Sequence, residues 1–203
     1  MRVLYPRTRD LHLYIGLFLS PFVLVYAASA VLLNHAYLPW GGQTAPLIAA
    51  PATRVDVRDS DDGLAVARRV RAQLGIRGEI GYVSRKQGST RLNFPIETPG
   101  HVTRVRVDLA TGIATLERQS TGVWDAAISL HVTPGPHNVK FRGNWVFMRL
   151  WGWVADATVY LLLFLSATGI YLWTVLKAQR RAGLMFLGAG AVSFVALVAA
   201  IVG

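Results

Sequence analysis

The chain has 203 residues, of which 53% are hydrophobic and only 16% charged, with a mean hydropathy of +0.38. A soluble domain carries roughly a quarter of its residues as charges, so this composition implies spanning helices and at most one compact domain. A sequence without cysteine excludes disulfides and thiolate metal sites; its +10 formal charge lies beside apolar runs and across a polar middle region, not in any nucleic-acid motif.

The first apolar run goes from Leu13 to Leu33, interrupted by Ser20, Pro21 and Ser29. Roughly 20 such residues cross a hydrocarbon core, and a proline inside such a helix predicts a kink. Arg2, Arg7 and Arg9 precede the run and predict a cytoplasmic N-terminus. A basic start followed by Ala28-Ser29-Ala30 also has the form of a cleavable signal peptide. The apolar stretch nevertheless continues through Val31-Leu32-Leu33, which predicts an uncleaved anchor.

From Ala36 to about Trp145 the composition turns polar. Pro39 to Pro51 reads as a linker. Asp61 and Asp62 then open an amphipathic helix over Leu64–Leu74, closed by Gly75, with Leu64, Ala67, Val70 and Leu74 on its buried face. Strand-like runs follow at Glu79–Ser84, Thr90–Ile96 and Val102–Leu109, with a return over Ile113–Glu117. Val105 and Val107 alternate with Arg104, Arg106 and Asp108, the period of a half-buried strand. Asp108 to Gly112 is a turn in which Gly112 supplies the left-handed position. A helix laid on a small antiparallel sheet is the expected packing.

A second spanning helix runs from about Trp151 to Leu176, with Trp145, Trp151 and Trp153 at one end and Tyr171 and Trp173 at the other. Two such aromatic belts fit the two bilayer interfaces. Lys177, Arg180 and Arg181 mark the cytoplasmic end, although Lys140, Arg142 and Arg149 flank the opposite one. A third run, Leu184 to Val202, carries Gly188, Ala189, Gly190 and Ser193, small residues that let helices approach closely. Three crossings from a cytoplasmic start place the C-terminus outside.

Five histidines occur: His12, His35, His101, His131 and His137. The 23-residue separation of His12 and His35 is about 34 Å at helical rise, so they belong to opposite membrane faces and cannot ligate one iron. A b-type haem needs two neutral imidazoles from one side of the bilayer. At the outer face His35 can meet His131 or His137. At the inner face His12 has no second histidine nearby in sequence, and a homodimer or partner subunit would have to supply one. Gly16, one turn from His12, would let a flat macrocycle approach the backbone. His101 lies in a Pro-Gly-His turn and reads as a surface residue.

Arg9-Asp-Leu-His12-Leu-Tyr-Ile-Gly16 resembles the Arg-x-x-His-x-x-x-Gly start of the PepSY-associated transmembrane proteins of bacterial inner membranes. Ala30-Val-Leu-Leu-Asn-His35 resembles that family's Gly-x-x-Leu-x-His helix ending, with Ala30 where glycine is usual. Asp108-Leu-Ala-Thr-Gly112 is similar to the closing turn of PepSY domains, and Leu130-His131 and Ala167-Thr-Gly-Ile-Tyr-Leu-Trp173 resemble the approach to and end of a later helix. The resemblance covers most of residues 9 to 177. It implies a three-helix membrane protein with a small α+β PepSY-like extracytoplasmic domain. The divisions are 1–36, 37–145 with the PepSY-like part at about 60–118, 146–178 and 179–203.

Some relatives in that family are haem-binding iron–siderophore reductases, so the resemblance implies a haem b held by His35 and His131, with His137 and His12 as further candidates. The expected function is an electron-transfer component beside ferric-chelate reduction in iron uptake, in the lipid bilayer and within a homodimer or larger redox complex. The second PepSY unit and flavin-reductase domain of larger relatives are absent from this sequence, and no autonomous catalytic motif occurs. Two other readings stand: a membrane-anchored PepSY module that binds or regulates a periplasmic protein or peptidase through a sheet edge, and an assembly subunit of a membrane complex.

Overall fold

A computed structural model describes residues 4–35, 45–57, 62–85, 88–132, 143–176 and 180–202. Among the residues singled out above, Arg2, Pro39, Asp61, His137, Lys140, Arg142 and Lys177 lie outside the described residues. The elements in chain order are α1 (Leu4–Asn34), β1 (Ile48–Arg54), α2 (Gly63–Gln73), β2 (Glu79–Ile80), β3 (Ser84–Arg85), β4 (Arg91–Thr98), β5 (His101–Asp108), β6 (Ile113–Ser120), α3 (Gly122–Val132), α4 (Val146–Leu176) and α5 (Arg180–Val202). Helices α1, α4 and α5 are long and apolar enough to cross a membrane, as the sequence predicts. The chain is thus built as a multi-pass membrane protein with a small antiparallel sheet between its first two spans.

Contacts divide the chain into two units, residues 22–156 and residues 1–21 with 157–203. In the first, the strands form an antiparallel sheet in the order β1-β6-β5-β4-β2, with β3 also paired to β4. Alternation sends Leu92, Phe94, Ile96, Val105, Val107, Ala114 and Leu116 to one face. There α2 covers them with Val66, Ala67 and Val70, while Leu64 and Leu74 pack at the margin. The Asp62 carboxylate caps α2 by accepting the Leu64 N–H at 3.0 Å, and Gly75 closes it with φ +63°. The predicted turn also forms: the Gly112 N–H reaches the Asp108 carbonyl at 2.9 Å with φ +68°.

Three expectations change. The proposed linker Pro39–Pro51 contains the start of β1, an edge strand that pairs with β6 and tolerates Pro51 beside a register shift between Ala50 and Thr53. The predicted strand Glu79–Ser84 is two short strands. Its break faces Pro95, which accepts the Gly81 N–H at 3.0 Å but has no N–H of its own to return on that side. An additional helix, α3, precedes the second span.

The sheet is joined to α4 through one buried carboxylate. Glu79 Oε1 accepts the Asn144 N–H at 3.1 Å and Oε2 the Trp145 N–H at 2.7 Å. These amides stand just before α4, where a helix start leaves donors unpaired. The Asn144 side chain adds itself to β2 as a strand would: Oδ1 accepts from Ile80 N–H at 2.9 Å and Nδ2 donates to the Ile80 carbonyl at 2.8 Å. Arg71 of α2 donates to Asn144 Oδ1 at 3.0 Å and to the Gly78 carbonyl at 2.9 Å, closing the junction.

In the second unit Leu19 of α1 and Thr158 of α4 are buried, and the Arg180 guanidinium donates to the Thr174 carbonyl at 3.0 Å, meeting an acceptor that the end of α4 leaves open. Helix α5 has no buried residue among those described, and the Trp173 indole occupies the space a side chain at Gly183 would need.

A Cβ at Gly81 would stand 2.7 Å from the rigid ring of Pro95. Gly81→Ala is expected to cost about 1–3 kcal/mol, read as a lowered Tm of the detergent-solubilised protein. Burial pushes the Glu79 carboxyl above its ordinary 4.5, against the pull of the Asn144, Trp145 and Gly143 amides and the Arg71 charge. A carboxyl raised in this way binds more protons folded than unfolded. Its contribution therefore favours the fold as pH falls through the interval above 4.5 and is lost as pH rises. Glu79→Gln should accordingly destabilise more at about pH 5 than at about pH 7, in paired thermal melts.

Candidate functional site

Tyr26 and Ser29 are three residues apart on α1 and share a face. His131 arrives beside them at the end of α3. Its Nδ1 lies 3.0 Å from Ser29 Oγ, and that hydroxyl donates to the Tyr26 carbonyl at 2.8 Å. Serine has one hydroxyl proton, so with that proton on the carbonyl the imidazole must be the donor at Nδ1. The lone pair of the neutral ring then sits on Nε2.

Aromatic rings frame this imidazole. The Tyr26 ring meets it edge-on at 5.4 Å and stacks on Trp151 of α4 at 6.0 Å and 15°. The Trp151 indole N–H donates to the Leu130 carbonyl at 2.9 Å. Leu130-His131 is therefore held from α1 on one side and from α4 on the other.

His12 repeats the arrangement in the other unit. Its Nδ1 is 2.7 Å from Thr168 Oγ1, whose proton goes to the Phe164 carbonyl at 2.8 Å, so this ring too carries its proton on Nδ1. A Cβ placed at Gly169 would lie 3.6 Å from His12 Cε1, so the ring rests over a glycine. One at Gly16 would meet nothing within 4 Å, which leaves open space beside α1 one turn from His12. The segments Arg9–Gly16 and Ala167–Trp173, far apart in sequence, thus touch through His12, Thr168 and Gly169.

His35 is exposed at the end of α1, with Nδ1 3.0 Å from the Val31 carbonyl. A carbonyl only accepts, so Nδ1 again bears the proton. The ring bonds to its own helix, and the residue that meets His131 is Ser29, six positions earlier, about 9 Å along the axis. His101 opens β5, exposed, opposite Thr98 and Ser120. Among the described residues no group of three or more His, Asp or Glu side chains converges as a metal site, which leaves two-histidine ligation open.

Sequence reasoning singled out the histidines but not Ser29, Thr168, Tyr26 or Trp151 as their partners. Ser29 registered only as an interruption of an apolar run. Its signal was a hydroxyl at helical spacing from an aromatic, in a stretch otherwise suited to lipid.

The sheet is blunted at β1 and at β2, while β3, exposed and paired only with β4, forms the rest of the second edge. β1 carries Pro51 and a register shift, and Asn144 occupies the backbone of Ile80 on β2. On the face away from α2, Arg106 grips Glu117 with two contacts of 2.9 and 3.1 Å, beside the exposed Arg104.

No family model, curated protein or solved structure matches the chain.

Proposed function

We propose that this chain is a PepSY-associated protein of the bacterial inner membrane that holds a b-type haem at its outer face and serves electron transfer to ferric chelates in iron uptake. In this reading the N-terminus is cytoplasmic, residues 37–145 are periplasmic and the C-terminus is periplasmic. The observation that carries it is the His131–Ser29 pair: a half-buried imidazole with Nδ1–H given to a hydroxyl and Nε2 left as the base. Haem-ligating histidines are oriented in this way by the hydrogen bond of their other nitrogen.

His131 and His35 would hold the iron, both with the proton on Nδ1. The group, when bound, supplies one-electron transfer. Ser29 would fix the tautomer and heading of His131, and Tyr26, stacked on Trp151, packs edge-on against the ring. His12, prepared identically by Thr168, is a second candidate ligand whose partner imidazole would come from another copy of the chain or a further subunit. The PepSY part of the reading is supported by α2 packed on an antiparallel sheet that closes through Asp108–Gly112. It is supported also by the contact between the first and last resembling motifs. The competing sheet-edge binding module would have to use β3, since β1 and β2 are blunted.

Protein purified from haem-supplied cells should show a Soret band and dithionite-induced α and β bands. His131→Ala should abolish them, whereas Ser29→Ala should weaken haem affinity about 10–100-fold with the sheet intact by circular dichroism. A wild-type sample without a Soret band would end the proposal.

A further inference from the structure

Helix α3 has 11 residues, Gly122–Val132, too few to cross a bilayer, and its one carboxylate, Asp125, lies in the first turn, next to the sheet. The protein buries none of its side chains. Val123 is 73% and Trp124 47% exposed, and Val132 is exposed as well. Its start is fastened to the sheet, where the Thr121 N–H donates to the Gly100 carbonyl at 2.9 Å. Its end lies elsewhere. Leu130 and His131 bond to Trp151 of α4 and Ser29 of α1, and Ser29 is five residues short of the α1 terminus at Asn34, about 8 Å back along the axis.

We infer that α3 is embedded in the outer leaflet, descending from the sheet into the lipid beside the first two spans. Three observations converge on lipid as the occupant of its exposed face. The level of its last turn is set by residues inside the apolar run of α1. The polar groups at that level find protein partners, Trp151 Nε1–H for the Leu130 carbonyl and Ser29 Oγ for His131 Nδ1, as a segment away from water requires. And the helix that Leu130 bonds to is itself apolar and exposed at its start, through Val146, Phe147, Leu150 and Trp153, the last 74% exposed. Trp124 near the start of α3 suits the headgroup boundary. Residues 122–132, placed outside the membrane by composition, thus form a fourth lipid-contacting segment, and His131 sits at membrane depth.

The cysteine-free sequence makes the test direct, since a single introduced thiol is the only one. Val123→Cys, Val132→Cys and Arg104→Cys proteins, spin-labelled and reconstituted in phosphatidylcholine–phosphatidylglycerol vesicles, are compared for collisions with oxygen and with a neutral nickel chelate. The ratio of oxygen to nickel accessibility should be several-fold higher at both α3 positions than at Arg104 on the sheet. Nickel accessibility at Val123 and Val132 equal to that at Arg104 would overturn the inference in favour of an aqueous helix. Low accessibility to both reagents would overturn it in favour of a protein partner. Far-UV circular dichroism and haem content of each variant keep a folding defect, or failure of the haem reading, separate from the result.

Discussion

Within a bilayer, a hydrogen-bonding group that lacks a protein partner has no water to turn to, and leaving it unpaired costs several kcal/mol. That constraint is met by most of the polar side chains described in the membrane part, the buried Trp173 indole N–H being the exception. Ser20, Ser29, Ser166, Thr168 and Thr174 all return their hydroxyl protons to carbonyls of their own helices. Trp151 serves the last turn of α3, and Arg180 the last turn of α4. The same rule has a chemical corollary. A hydroxyl that gives its proton to its own helix accepts from a neighbour, so with their protons on the Tyr26 and Phe164 carbonyls, Ser29 and Thr168 accept from Nδ1 of His131 and His12.

The attachment of the sheet to α4 obeys a related balance. Two hydrogen bonds to a carboxylate contribute about 1.5–3 kcal/mol each, while burying that carboxylate costs several. Burial displaces the Glu79 carboxyl upward against three amides and a nearby guanidinium. The Glu79 carboxylate therefore contributes less than its hydrogen bonds alone would. What the junction supplies is orientation: Asn144 can pair with Ile80 only where the strand edge and the start of α4 coincide, and Glu79 then occupies the amides that this placement would leave bare.

Much of the fold was legible because period and punctuation agree. The spans announce themselves by length, α2 by its face and its Asp62 and Gly75 ends, and β5 by strict alternation. The failures have physical causes. β1 is an edge strand with one neighbour, so Pro51 costs it little and yet reads as linker. Pro95 sits inside a paired strand because its missing donor faces the irregular segment at Gly81, a compensation no local pattern reveals. α3 has neither the length of a span nor the polar face of a surface helix, since both of its environments are partly apolar. At the candidate site, the histidines stood out through their position beside the apolar runs. Their hydroxyl partners did not, because 102 and 156 residues separate the members of each pair.

Those two pairs carry the functional argument further than either histidine alone. An imidazole that only stabilises structure is satisfied by any partner at either nitrogen. Here the same nitrogen is engaged at His12, His35 and His131, each time against a group that must accept: a helix-committed hydroxyl twice and a carbonyl once. With those acceptors, Nδ1 is the donor in each ring. The His12 ring rests over Gly169, where a Cβ would be at ordinary contact distance, and a Cβ at Gly16, one turn away, would meet nothing within 4 Å. In the proposed reading, the donor fixed at Nδ1 is what would present Nε2 of His131 and His12 to a metal.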